Sequence, residues 1–299
     1  MSAQLTIIIP TVCTRTRSAG LMRAIASAKA SAPPGKVTVL VVANGHGVDD
    51  ELLDSIHDLP GVHTLRLEEG SLPKAQLAGR REVRTPFFAF LDDDDELLPG
   101  SSLQRLKAIE DDEQTDLAIT NGWREMAGER HTMHDNLGDI TADPLRALLT
   151  CNWLASCAAA FRTAGVGVEF FEESQPYAEW TWLAFRLCLA GKRVAVIDQP
   201  GYVIHDTPGS LSKTRAYRRS YLELFDRMLA ANPPSWAREM VLRKRSAALH
   251  DLAVQSLAEG SITEAWNLHL GSLSPWRFGR RYFWFGRRLV IGQVKALAR

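Results

Sequence analysis

Four adjacent aspartates, Asp92-Asp93-Asp94-Asp95, close the apolar run Phe87–Leu91. Carboxylates this close repel one another, and each resists ionisation while its neighbours are charged. Such a run calls for a counter-charge. At the end of an apolar strand the suited partner is a hard divalent cation, Mn2+ or Mg2+. That cation takes one or two carboxylates and completes its shell with phosphate oxygens and water. On residue type and spacing alone the run is either a metal-bridged diphosphate site or a solvated acidic turn. The wider charge pattern is uneven. The chain carries 35 basic and 35 acidic side chains, yet residues 1–200 hold 19 and 28 of them and residues 201–299 hold 16 and 7. A net charge of zero argues against a nucleic-acid partner, while its distribution predicts an acidic front and a basic back.

The elements that position the aspartates alternate. Leu5–Ile9, Val37–Ala43, Val62–Leu67 and Phe87–Leu91 are short, mostly apolar runs of strand type. Between them, Ser18–Ala30, Asp49–Leu59 and Pro73–Val83 have helix composition. Strand and helix in alternation predict a parallel sheet covered on both faces, with ligands beyond the carboxyl ends of its strands. Pro10-Thr11, Asn44-Gly45 and the Asp run all stand at such ends. Beyond Pro99 the pattern loosens. Helices are expected at Ser101–Glu110, Leu145–Thr150 and Tyr177–Ala190, and strands at Leu117–Trp123, Cys157–Phe161, Val194–Ile197 and Tyr202–His205. Residues 124–142 are polar and read as loop or hairpin. From Ala216 onward the chain reads as helical, with a break at Pro233-Pro234.

Composition sets the outer bounds. At 299 residues, 45% hydrophobic and 23% charged, the chain has the profile of a globular protein of one large or two ordinary domains. Cys13, Cys151, Cys157 and Cys188 include no C-x-x-C pair and form no disulfide framework, which predicts reduced thiols. The start, MSAQLTIIIPT, lacks the basic and long apolar regions of a signal peptide, and the apolar runs are too short to span a bilayer. These features predict a cytoplasmic location.

Taken in order, the motifs resemble glycosyltransferase family 2. They are Thr6-Ile-Ile-Ile-Pro-Thr11, then Val41-Val42-Ala43-Asn44-Gly45, then Phe90-Leu91-Asp92-Asp93-Asp94-Asp95 with Pro99. Phe170-Phe171-Glu172-Glu173 ahead of Ala178-Glu179-Trp180 follows, with Arg186 and Gly191 trailing, and Tyr202-Val203-Ile204-His205 with Ser210 and Ser212 comes last. The resemblance covers about residues 4–215. It implies an inverting, metal-dependent transferase that moves a sugar from a nucleotide-sugar donor to an acceptor hydroxyl. The fold implied is α/β of GT-A type: a Rossmann-like, mostly parallel sheet flanked by helices. The implied catalytic domain is 1–215, with a nucleotide-binding half at 1–99 and an acceptor-binding half at 100–215, followed by a helical extension at 216–299.

Site roles follow from the same resemblance. Pro10, Thr11 and Arg15 would line the nucleotide pocket. Asn44 stands where the family often has an acidic residue that reads the base, a departure that leaves the base open. Lys74 and Arg80 lie in the segment that closes over the nucleotide. Asp92 and Asp93 would face ribose and phosphate, with Asp94 as principal metal ligand and Asp95 fixing the loop. His205 would lie near metal and diphosphate. Glu179 matches the catalytic base, a carboxylate at a helix start where the dipole favours the anion. Trp180 and Trp153 are the acceptor-side candidates. The implied setting is cell-envelope polysaccharide or glycolipid synthesis on a glycan or lipid-linked acceptor. A nucleotidyltransferase is a rival reading, but there is no Gly-rich phosphate loop near Pro10. A non-catalytic sugar-nucleotide-binding or membrane-scaffold protein is another, for which the residue at Asn44 is the best argument.

The last stretch has its own character. From Ala265 to Arg299 there is no acidic residue, while Arg277, Arg280, Arg281, Arg287, Arg288, Lys295 and Arg299 stand among Phe, Tyr, Trp and aliphatic residues. Cations interleaved with apolar groups predict a helical segment, residues 275–299, lying against an anionic membrane surface. This would make the chain peripheral on the inner face of the plasma membrane. The same composition could also bind nucleic acid, or could pack its aromatics on the catalytic domain with the arginines solvated.

Overall fold

A computed structural model describes residues 3–173, 175, 177–206, 214–274 and 276–297, with side chains to 294. Ser210, Ser212, Arg299 and the side chain of Lys295 lie outside the described residues. The chain divides into two compact units, Met1–Pro208 and Gly209–Arg299.

The first unit opens with β1 (Leu5–Thr11), a 3-10 turn at Arg15–Arg17 and α1 (Ser18–Ala30). Then come β2 (Val37–Asn44), α2 (Asp50–His57), β3 (Val62–Leu67), α3 (Leu72–Glu82) and β4 (Phe87–Phe90). Every residue of β1 and β4 is buried, as a strand covered by helices on both faces requires. The order β3-β2-β1-β4 is parallel throughout, so the carboxyl ends of β1, β2 and β4 share one edge. Helix α3 lies close on this sheet through Gly79, where a Cβ would come within 2.5 Å of Ile8.

The second half of the unit is mixed. It comprises β5 (Glu96–Leu97), α4 (Ser101–Glu110), β6 (Leu117–Met126), β7 (Glu129–Thr132), α5 (Gly138–Ala142) and α6 (Pro144–Thr150). β8 (Ala159–Arg162), α7 (Glu169–Glu172), α8 (Glu179–Leu189) and β9 (Val194–His205) complete it. The sheet continues β4-β8-β6-β9-β5. β8 runs antiparallel to β4 and β6, whereas β6 and β9 are parallel.

Several expectations are refined. The stretch read as loop or hairpin holds a β6–β7 hairpin closed by Ala127-Gly128, both with positive φ as a type I′ turn demands, and then α5. The two short strands expected at 194–197 and 202–205 are one strand, β9, whose pairing shifts twice near Pro200. Proline has no N–H to give the ladder, so the strand bulges and then resumes.

The second unit is helical: α9 (Arg215–Ala230), α10 (Ser235–Ala258), α11 (Ile262–Ser272), α12 (Trp276–Gly279), a 3-10 turn at Arg280–Tyr282 and α13 (Phe285–Leu297). The expected break at Pro233-Pro234 falls between α9 and α10. No described helix is long and apolar enough to cross a membrane.

Candidate active site

The Asp run lies just past β4, at the edge where β1 and β2 also end. Each aspartate has a different environment. Asp93 is buried and clamped. Thr11 donates its hydroxyl to it at 2.5 Å, and the Arg17 guanidinium grips both its oxygens. Arg17 reaches Asp94 as well, at 3.2 Å. Asp92 accepts from the Ser156 hydroxyl at 2.8 Å, and burial, with its neighbours' charge, pushes its carboxyl up to about 6. Asp95 is buried and accepts the His205 main-chain N–H at 3.1 Å, which ties β9 to the loop; burial holds its carboxyl well above the ordinary range. Arg23 secures the outer side through the Asp94 carbonyl and Glu96.

The sequence forms this cradle locally. Cys13 takes a left-handed φ of 46° and donates its N–H to the Thr11 hydroxyl at 2.9 Å, which aims that hydroxyl at Asp93. The 3-10 turn that follows brings Arg17 to the aspartates. Gly20 permits the close approach of α1, since a Cβ there would stand 3.0 Å from the Asp93 carbonyl.

Glu179 is the first residue of α8, preceded by Ala178 at a left-handed φ of 54°. Burial is the main influence that pushes its carboxyl up to about 7, and the Asp92 charge adds to it. Glu179 is therefore within electrostatic reach of the Asp run. Next to it, the Trp180 ring meets Phe90 of β4 edge-on at 5.2 Å.

The remaining predicted residues are placed as follows. Asn44 is buried; its amide donates to the Thr11 carbonyl at 2.8 Å and accepts from the Ser71 N–H at 3.0 Å. Both ends of the side chain thus hold main chain, joining β1, β2 and the start of α3. Pro10 is buried within β1. Arg15 is exposed and paired with Asp49 and Glu51 at 2.6 and 2.7 Å, and Lys74 pairs with Glu69. Arg80 lies in the interior, donating to the carbonyls of Thr163 and Val166 and covering the Phe88 ring at 4.4 Å, so it holds α3 to the sheet. Trp153 is also interior, 2% exposed, with its indole N–H on the Pro144 carbonyl at 3.0 Å. The His205 ring faces Glu96 at 2.8 Å and Glu125 at 3.7 Å. Sequence reasoning missed Arg17 and Ser156. Arg17 had a signal, a second cation two residues past Arg15, but its direction depends on the 3-10 turn.

The fit to a divalent cation rests on the donor set. The loop offers hard carboxylate oxygens, with Asp94 partly open and Asp92 beside it, a carboxyl raised first by burial and then by its neighbours' charge. Among the described residues no three His, Cys, Asp or Glu side chains are grouped to cage a metal. One or two carboxylates suffice for Mg2+ or Mn2+ when a diphosphate supplies the other oxygens, so the residues fit the group in that form.

Comparison with known proteins agrees with this architecture. Three structures of TarS from S. aureus resemble the chain. The form comprising residues 1–349 with UDP-GlcNAc has a TM-score of 0.58 and 16% identity over 84% of this chain and 72% of that one. The same form with UDP has a TM-score of 0.55 and 16% identity over 84% and 71%. Another TarS structure has a TM-score of 0.58 and 15% identity over 82% and 43%. At that identity the likeness concerns the fold, which is that of GT-A glycosyltransferases. No curated protein matches the chain. The model of the family described as glycosyl transferase family 2 matches residues 6–164, a stretch that holds the sheet edge, the Thr11–Arg17 cradle and the whole Asp run. With more than half of its length so matched, this chain belongs to glycosyl transferase family 2 and is a glycosyltransferase.

Proposed function

We propose that the enzyme transfers a sugar, with inversion, from a nucleotide-sugar donor to a hydroxyl of a glycan or lipid-linked acceptor in cell-envelope polysaccharide or glycolipid synthesis. The observation that carries this reading is Glu179, a half-buried carboxyl pushed up to about 7, within electrostatic reach of Asp92 in the loop at the sheet edge. The donor half is 1–99 and the acceptor half 100–215, with 216–299 as a helical extension. The reading sets the chain on the cytoplasmic side of the plasma membrane, against an anionic surface through residues 275–299.

The roles follow from chemistry. Asp92 faces the donor's ribose and phosphates, and Asp93, with both oxygens held by Thr11 and Arg17, fixes the loop that presents its neighbours. Asp94, with Asp92 beside it, would hold Mn2+ or Mg2+, which supplies Lewis-acid stabilisation of the departing diphosphate. Glu179 accepts the proton of the acceptor hydroxyl as that oxygen bonds to the anomeric carbon. The bond from that carbon to the diphosphate breaks on the opposite face, its electron pair leaving on the phosphate oxygen. Trp180 walls the acceptor side. His205, between Glu96 and Glu125, supports the loop through its N–H to Asp95. The UDP-GlcNAc complex of the TarS fold relative makes a uridine diphosphate sugar the first donor to test.

The test is slow donor hydrolysis. A panel of UDP, GDP, dTDP and CDP sugars is incubated with Mn2+ and with EDTA, and release of nucleoside diphosphate is measured. Mn2+-dependent release from one donor class is expected. Binding without release, with every acceptor offered, contradicts the reading.

A further inference from the structure

Helix α13 has two apolar faces, and the fold of its unit uses one. Leu289 is 0% exposed and, with Phe285, forms a small core with Ala253 of α10 and Ala265 of α11. The His250 ring of α10 stacks on Tyr282 at 4.1 Å and holds the turn before the helix. At about 100° per residue, Val290 and Val294 stand about 140° round the axis from Phe285 and Leu289. They are exposed, Val294 to 61%, and Ile291 is exposed beside them. Trp284, just ahead of the helix, is 70% exposed, and Phe283 and Trp276 are exposed near it. Single exposed apolar side chains are ordinary, but a concentration of them within residues 276–294 marks an interaction surface.

The charges that this segment itself carries have one sign, although Arg277 at its start pairs with Glu239 of α10. Arg280, Arg281, Arg287 and Arg288 are exposed, and the sequence from 265 to 299 has no acidic residue. Arg287 lies within the apolar stripe of α13, since Val290 and Ile291 follow it by three and four residues. Thirteen residues give α13 a length of about 20 Å, short of the ~30 Å bilayer core.

We propose that this face binds an anionic lipid bilayer, with α13 lying in the plane of the headgroups. Trp284, Phe283 and the stripe of Val290, Ile291 and Val294 enter the acyl boundary, and the arginines sit among lipid phosphates. A nucleic acid would neutralise the arginines but offer nothing to three exposed aliphatic side chains. A second copy of the chain would bring like charges face to face. The inference rests on the membrane-side reading above and names the groups that perform it. Vesicle binding is measured without turnover, so its failure and a failure of transfer are separate results.

The experiment is co-sedimentation of the full chain with vesicles of phosphatidylcholine, alone or with about one-third phosphatidylglycerol. Expected is binding at least about tenfold tighter to the anionic vesicles, weakened by salt. The exposed-site variant Trp284→Ala/Val294→Ser and the charge variant Arg280→Gln/Arg287→Gln each weaken it several-fold, with unchanged circular dichroism and melting. Equal binding by the wild type and both variants overturns the proposal. So does displacement from vesicles by single-stranded RNA at equal charge, or a dimer in sedimentation equilibrium that the Trp284→Ala/Val294→Ser variant dissociates.

Discussion

At Glu179 two influences oppose each other. The helix N-terminus favours the carboxylate, while burial and the charge of Asp92 favour the acid and push the group up to about 7. The net direction is upward, so burial and the Asp92 charge together outweigh the helix N-terminus here. A base poised near neutral suits a proton acceptor. The transfer rate should therefore rise with pH through about 7 and level off above it; a flat profile from pH 5.5 to 8.5 contradicts the assignment. Arg17 gives a second residue-scale prediction. It is the guanidinium that grips buried Asp93 and touches Asp94. Arg17→Met leaves Asp93 with the Thr11 hydroxyl and should lower stability by about 2–3 kcal/mol. Mn2+ should return part of that loss in a thermal melt, because a cation in the loop replaces the missing charge. An unchanged melting point contradicts the clamp.

The elements show which parts of the site were legible in sequence. The Asp run, Thr11 and Asn44 were placed correctly at one sheet edge because apolar strands alternate with helices there, and parallel strands end together. The directions of side chains were not legible. Arg80 was expected over the nucleotide, but a helix face is set by what packs beneath it, and Gly79 brings α3 so close that Arg80 turns inward to Phe88. Trp153 was expected at the acceptor, yet it fills the interior under α6 with its N–H on Pro144. β9 was split because Pro200 reads as a strand end, while in the sheet it makes a bulge. Asn44 was placed at the nucleotide site as a departure from an acidic base-reader, and the structure gives its amide a joining role between β1 and the start of α3. Asn44→Ala should therefore lower stability by about 2 kcal/mol in urea unfolding, as two buried bonds are lost. Full stability in that variant contradicts the tether.

At the scale of the whole molecule, the shielded titratable groups give the two units opposite pH behaviour. In the first unit Asp92, Asp95 and Glu179 bind protons more tightly folded than unfolded. Their contribution is therefore lost as pH rises from about 4 through about 6 for Asp92 and about 7 for Glu179. In the second unit burial lowers His250 and His269, so stability there is lost as pH falls below the ordinary histidine range. In the first unit His134 is lowered and opposes these groups, while Asp49, Asp112 and Glu125 are held low by their partners and lose their contribution only below the ordinary carboxylate range. Hydrogen exchange at pH 5.5 and 8, corrected for intrinsic rate, should show the first unit better protected at the lower pH and the second at the higher. The same direction in both units contradicts this account.

The central claim is that Glu179 is the proton acceptor of a nucleotide-sugar transfer at the Asp92–Asp95 loop. It is tested most directly by comparing Glu179→Gln with the wild type in two assays: donor binding by calorimetry with Mn2+, and turnover of the same donor. The account predicts a donor Kd within about threefold and turnover reduced by about 10²–10⁴-fold, the range of a lost general base. Undiminished turnover in Glu179→Gln would contradict it.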